Sequence, residues 1–439
     1  MKRVVTQRLK AWKEGLNRKP LVLSGARQVG KTWLMKAFGK EAFTNVAYIN
    51  FDGNPRMQQL FSLDYSIPRL LSGLQAESAT VIEPGKTLII FDEIQTNPAA
   101  LTSLKYFCEE APDYAIIAAG SLLGVSLQQG TGFPVGKVDT LDLCPMSFTE
   151  FLEALGETQL VEMLNSRDWA LISAFKSKYI DWLRNYYFVG GMPEAVAIFR
   201  ERRSYKEVRL MQQRLLRDYE RDFAKHAPKE MVPRLSMLWN SIPAQLAKEN
   251  KKFFYGMVRV SARAKDFKTA LQWLIGAGLI SKVDHVSKPN IPLSAYAESS
   301  FKLFTLDVGL LTAQCRLDVK TLLEGNAIFT EFKGALTEQY VQQQLRAECD
   351  ILPNYWSASS GNAEVDFLFQ EGNDIFPVEV KAEENLRAKS LKIYVQNFSP
   401  KTAFRTSMSD YRKEAWLVNL PLYAIGQIQK ECEGKINEG

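Results

Sequence analysis

Eight residues near the N-terminus, Gly25-Ala26-Arg27-Gln28-Val29-Gly30-Lys31-Thr32, have the spacing GxxxxGK[ST] between an apolar run and a helical stretch. Glycines let the backbone wrap a polyphosphate, and successive N–H groups with a helix N-terminus supply partial positive charge. Lys31 reaches the terminal phosphates, and the Thr32 hydroxyl can ligate magnesium. A second element, Leu88-Ile89-Ile90-Phe91-Asp92-Glu93, is an apolar strand that ends in two acids. Asp92 then holds magnesium through its water shell, and Glu93 orients or deprotonates the attacking water. A third run, Ala115 to Ala119, ends in Gly120-Ser121, where Ser121 reads either as a γ-phosphate sensor or as a hydroxyl capping the next helix. No NKxD or TKxD guanine-reading pattern occurs, so adenine is the expected base and ATP with Mg²⁺ the expected cofactor.

A second set of acids lies near the other end. Glu364-Val365-Asp366-Phe367-Leu368-Phe369-Gln370 and Ile375-Phe376-Pro377-Val378-Glu379-Val380-Lys381 flank EGND, whose Gly372-Asn373 suits a tight hairpin. A turn centred there sets Asp366 opposite Glu379 and Glu364 opposite Lys381. One face carries Val365, Phe367, Phe369, Phe376, Val378 and Val380, and the other brings Asp366, Glu379 and Lys381 together. Two carboxylates and a lysine at this spacing suit a metal-dependent phosphodiesterase, with a second Mg²⁺ or Mn²⁺ held by the acids. Glu-x-Lys also arises by chance on any solvated strand face.

Between these sites Lys248 to Lys268 holds seven basic residues against Glu249 and Asp266, a local charge of +5, with Phe253, Phe254 and Tyr255 among them. A helix burying Phe267, Ala270, Leu271, Leu274 and Ile275 leaves Lys268 and Gln272 outward; with Lys251 and Lys252 these are the candidate nucleic-acid contacts. The alternative is a solvated basic face on a domain that packs against its neighbours.

The elements that position these residues fall in a clear order. Up to about residue 125, short β-branched runs (PLVLSG, VAYINFDG, TLIIFDE, YAIIAAGS) alternate with helical patterns, which is α/β with a parallel sheet. Long amphipathic stretches follow to about Ala227, then two short helical patterns and LISKV in a winged-helix outline, then an α+β unit. The expected division is 1–150 nucleotide-binding core, 151–228 helical lid, 229–300 winged helix, 301–425 α+β domain and 426–439 polar tail. A chain of 439 residues has room for these parts, and 46% hydrophobic with 24% charged residues marks an ordinary globular composition. The net charge of +6 only permits an anionic partner. No apolar stretch reaches the roughly 18 residues that span a bilayer, and charges interrupt the N-terminus before any signal-peptide core develops, so a cytoplasmic protein is expected. The five cysteines form no CxxC pair and His226 and His285 are isolated, which disfavours zinc, disulfides and Ser-His-Asp or Cys-His catalysis.

The order GARQVGKT, LIIFDEIQ, AAGSLLG, LCPMSFTEFL, GGMPEAV, FKLFTLDVGLL, EVDFLF and VEVK resembles the AAA-type P-loop ATPases of bacteria and archaea that carry a C-terminal DUF4143 domain, from about Arg3 to Arg412. The resemblance implies an AAA-type core, a helical lid in which Gly191-Met192-Pro193 sits with Pro193 against the base, and self-association. Where relatives carry Gly-Arg, this chain has Gly136-Lys137; a lysine lacks the bidentate fork of an arginine finger, and Lys137 is the candidate in its place. The C-terminal motif is similar to the PD-(D/E)xK nuclease superfamily, with Glu338 on the preceding helix as the extra acid. Two readings follow: an ATPase that controls a DNA-binding, nuclease-like half, or a nucleotide-dependent switch whose inactive nuclease fold recognises a partner.

Overall fold

The computed structural model describes residues 1–120, 123–128, 133–248, 250–323, 330–358, 361, 363–384 and 388–433. The backbone divides into two compact units. One comprises Lys2–Cys144 with Trp273–Leu279; the other comprises Pro145–Gln272 and Ile280–Gly439. Among the described residues no helix is long and apolar enough to cross a membrane.

The first unit is built on strands β1 (Leu21–Ser24), β2 (Asn45–Asn50), β3 (Thr87–Asp92), β4 (Ala115–Ala119) and β5 (Asp139–Asp142), in the order β2-β3-β4-β1-β5. Every pairing is parallel. Four of these strands are the expected ones, and the short, polar β5 completes the sheet beside β1. β3 and β4 are buried along their whole length, as expected for a sheet covered on both faces. Phe51, Phe61 and Phe91 pack edge to face in its core, with centroids 5.2 to 5.9 Å apart.

The second unit contains β6 (Ile280–Val286), β7 (Ala297–Thr305), β8 (Asn354–Ser357), β9 (Glu364–Glu371), β10 (Asp374–Val380), β11 (Ala403–Ser407), β12 (Arg412–Lys413) and β13 (Leu417–Pro421). They form one mixed sheet in the order β12-β13-β11-β10-β9-β8-β6-β7. The LISKV run of the expected winged helix lies in β6, which is hydrogen-bonded into the same sheet as the hairpin, and the boundary placed at residue 300 runs through β7. The expected lid helices share this unit too. The hairpin register is the expected one: Asp374 pairs with Glu371 and Val378 with Phe367. The hairpin is central in the sheet, so Leu368 is buried as fully as Phe367 and Phe369. Helices Thr330–Ala347 and Lys389–Phe398 pack on these central strands.

Candidate functional site

Phosphate-binding geometry is set by three residues with positive φ between β1 and the helix Lys31–Ala42: Gly25 at 142°, Gln28 at 66° and Gly30 at 97°. A Cβ at Gly25 would overlap the carbonyl of Leu143, so only glycine fits. Arg3 braces the loop, donating to the carbonyls of Val29 at 3.0 Å and Cys144 at 2.6 Å. Lys31 opens the helix, and its Nζ donates to the carbonyls of Gly25 and Ala26 at 2.8 Å each. Burial lowers the Lys31 pKa to about 8, against the pull of Glu93 and Asp92.

Asp92 ends β3, and Glu93 follows it. Thr32 Oγ1 donates to Asp92 Oδ2 at 2.7 Å, and Tyr48 Oη donates to the same oxygen at 3.0 Å. Tyr48 carries the Lys36 ammonium 3.4 Å from its ring centre. Burial and the neighbouring Asp92 push the phenol up, so it stays a donor. Glu93 is left-handed at φ 52°, and Gln95 donates to its Oε2 at 2.6 Å. Ser121 lies outside the described residues. Lys137 pairs with Glu109 at 2.8 Å. Sequence reasoning missed Arg3, Tyr48 and Gln95. Only Gln95 left a signal, as the last residue of FDEIQ.

The motif around Pro193 has a different setting. Pro193 opens the helix Pro193–Arg202, where its missing N–H costs nothing. Just before it, the Gly191 N–H donates to Asp307 Oδ2 at 2.6 Å and the Met146 N–H to the Gly191 carbonyl at 2.7 Å. Asp307 also accepts from Gln343 Nε2 at 2.9 Å and from the Leu310 N–H at 3.0 Å. One buried aspartate thus ties GGMPEAV to TLDVGLL, and the Gly191 carbonyl ties PMSF to GGMPEAV.

The C-terminal acids each have partners within the protein. Asp366 accepts from the Val380 N–H at 2.7 Å, and Glu379 is held by Lys381 at 2.8 Å. Lys251 donates to Glu338, and the fully buried Lys302 stands 3.6 Å from Glu338 and 2.6 Å from Glu364. Burial alone would raise Glu338, but Lys251 and Lys302 outweigh it and hold the carboxyl below its usual range. Burial raises Asp366 to about 7, with Glu338 adding to the rise and Lys302 and Lys251 opposing it. Burial raises Glu379 too, against the pull of Lys381. Among the described residues no group of three or more His, Cys, Asp or Glu is placed to hold a metal ion. Lys251, Lys302 and Lys381 place ammonium groups among these acids.

The same pairing reaches into the basic segment. Lys251, expected at a phosphate, is committed to Glu338, and Lys252 Nζ lies 3.4 Å from Ser357 Oγ. Phe253 is stacked on Phe301 at 5.2 Å as part of the core. Lys268 and Gln272 are exposed as expected. His285 bridges Glu298 through Nδ1 and Ser357 through Nε2, each at 3.0 Å. The Ser357 backbone N–H also points at Nε2, at 3.2 Å, so the ring stitches strands together instead of activating a hydroxyl.

Three family descriptions match this chain: an AAA domain over residues 17–152, a domain of unknown function, DUF8612, over 180–321, and a domain of unknown function, DUF4143, over 333–424. No curated protein matches. Among solved structures, the Walker-type ATPase of Pyrococcus abyssi is 15% identical, with 71% of this chain and 94% of that one covered and a TM-score of 0.44. The Drosophila ORC bound to DNA is 15% identical over 74% of this chain and 96% of that one, with a TM-score of 0.28. The Thermotoga maritima RuvB Holliday junction branch migration motor is 17% identical over 65% and 89%, with a TM-score of 0.25.

Proposed function

From a chain that carries an AAA-type P-loop ATPase domain ahead of a C-terminal DUF4143 domain, we propose a protein that binds and hydrolyses ATP with magnesium and uses its nucleotide state to control the C-terminal half. The observation that carries this reading is the Thr32 hydroxyl on Asp92 at 2.7 Å, directly beside Glu93. A hydroxyl and a carboxylate meeting at the end of a phosphate-binding loop are a donor set that fits magnesium. Magnesium held there by Thr32 and Asp92 would supply positive charge to the phosphates. Lys31 exchanges its bonds to the Gly25 and Ala26 carbonyls for the terminal phosphates. Glu93 receives a proton from the attacking water, and Pro193 is the residue to test against the base. The test is ATP turnover in Mg²⁺ against EDTA: Glu93→Gln should retain ATP and stall, and wild-type turnover in that variant would remove Glu93 from the reaction.

For the C-terminal half, one observation favours partner recognition over cleavage: Lys251 and Lys302 already pair with Glu338, one of the acids that a nuclease would offer to metal. DNA remains a candidate partner through Lys252, Lys268 and Gln272, with contacts that suit phosphate and not bases. Supercoiled plasmid incubated with Mg²⁺ or Mn²⁺, with and without ATP, should stay uncut. ATP-dependent nicking that Asp366→Ala abolishes would restore the nuclease reading.

A further inference from the structure

We propose that Gln95 is a catalytic residue of the ATPase site, its carboxamide oxygen being the second acceptor for the water that Glu93 deprotonates; the inference rests on the ATP-hydrolysis reading above. The turn after β3 creates the arrangement. With Glu93 left-handed, the chain folds into the short helical turn Ile94–Thr96, closed by Thr96 Oγ1 donating to the Glu93 carbonyl at 2.8 Å. Gln95 is thereby carried back beside Glu93, and its Nε2 donates to Glu93 Oε2 at 2.6 Å. A carboxylate can only accept, so this bond fixes which end of the amide is nitrogen and directs the oxygen away from Glu93.

That oxygen is buried and, among the described residues, has no hydrogen-bond partner. It rests against Gly120 at the end of β4, where any Cβ would overlap it. The amide is thus fixed at its nitrogen and backed by a residue that has no side chain to offer. Buried acceptors are nearly always satisfied, and one left open beside the base of a hydrolytic site is suited to water. An attacking water has two protons: one transfers to Glu93, and the other stays on the water oxygen while hydrogen-bonded to Gln95 Oε1, which orients an oxygen lone pair. The water oxygen bonds to the γ-phosphorus as the bond to the β,γ-bridging oxygen breaks. The released electron pair leaves on ADP, and the second proton stays with the phosphate.

The test uses the full-length protein as Gln95→Met, close in shape but without the acceptor, and as Gln95→Ala should the first variant not fold. ATP affinity should stay within about twofold, single-turnover hydrolysis should fall about 100-fold, and trapping of ADP–aluminium fluoride should be lost. A purely structural role would not separate affinity from turnover. Wild type and Glu93→Gln run in parallel separate the failures. Wild type without turnover overturns the ATPase reading and this proposal with it. Turnover lost in Glu93→Gln but within about threefold of wild type in the Gln95 variant overturns the role of Gln95 alone.

Discussion

Lys251 donates to Glu338 across a contact in which both side chains are largely buried, 14% and 6% exposed. Removing one partner of such a pair strands the other charge, while removing both can be nearly neutral. Lys251→Met should therefore lose about 2 kcal/mol, below the full cost of an orphaned charge because Lys302 remains 3.6 Å from Glu338. Lys251→Met with Glu338→Leu should recover most of that loss in urea unfolding. If Lys251→Met unfolds at the wild-type midpoint but weakens DNA binding, the lysine belongs to a nucleic-acid surface after all.

Lys31 makes the nucleotide site sensitive to pH. Its folded pKa is lowered to about 8, so without nucleotide the amine is partly neutral above that pH. Terminal phosphates favour the ammonium form, so ATP binding takes up a proton there. Affinity should be flat below pH 8 and fall as pH rises above it, approaching tenfold per unit. Lys31→Arg, always protonated, should bind without that slope. A wild-type dissociation constant that does not change from pH 7 to 9.5 would contradict the assignment.

Asp307 accepts from the Gly191 N–H, the Leu310 N–H and Gln343 at once. Asp307→Ala leaves these buried donors unpaired and should cost about 3 kcal/mol in urea unfolding. ATP affinity should be less affected than stability. The reverse pattern would place the glycine motif at the nucleotide and not in this internal tie.

Legibility from the sequence followed the range of the interaction. The phosphate loop, the Asp92-Glu93 strand end and the hairpin register depend on neighbours a few residues apart, and the turn at Gly372 pins the pairing of Phe369 with Phe376. Lys251 meets Glu338 across 87 positions and Gln343 meets Asp307 across 36, and no periodicity announces either. A two-stranded wing and two strands of a larger sheet share one local pattern, because what distinguishes them is whether β6 finds β8 beside it. Tyr48 illustrates the same limit within the ATPase site: only the parallel register, which aligns Tyr48 with Ile90 two residues before Asp92, reveals its reach.

Asp366 provides the sharpest test of the C-terminal cluster. Burial, with Glu338 adding to it, raises its pKa to about 7, whereas in the unfolded chain it titrates near 4. Between those values the folded state holds a proton that the unfolded state has lost, so its contribution to stability falls as pH rises from about 4 to 7 and is level above. Asp366→Asn removes the titration yet keeps an oxygen to accept from the Val380 N–H. The stability of the variant relative to wild type in urea unfolding should rise between pH 5 and pH 8, by about 2 kcal/mol. Because Lys251 and Lys302 already supply the positive charge, neither Mg²⁺ nor Mn²⁺ should move the wild-type midpoint. A rise with either ion that Asp366→Asn abolishes would show that the acids can release their lysines for metal, and the nuclease reading would return.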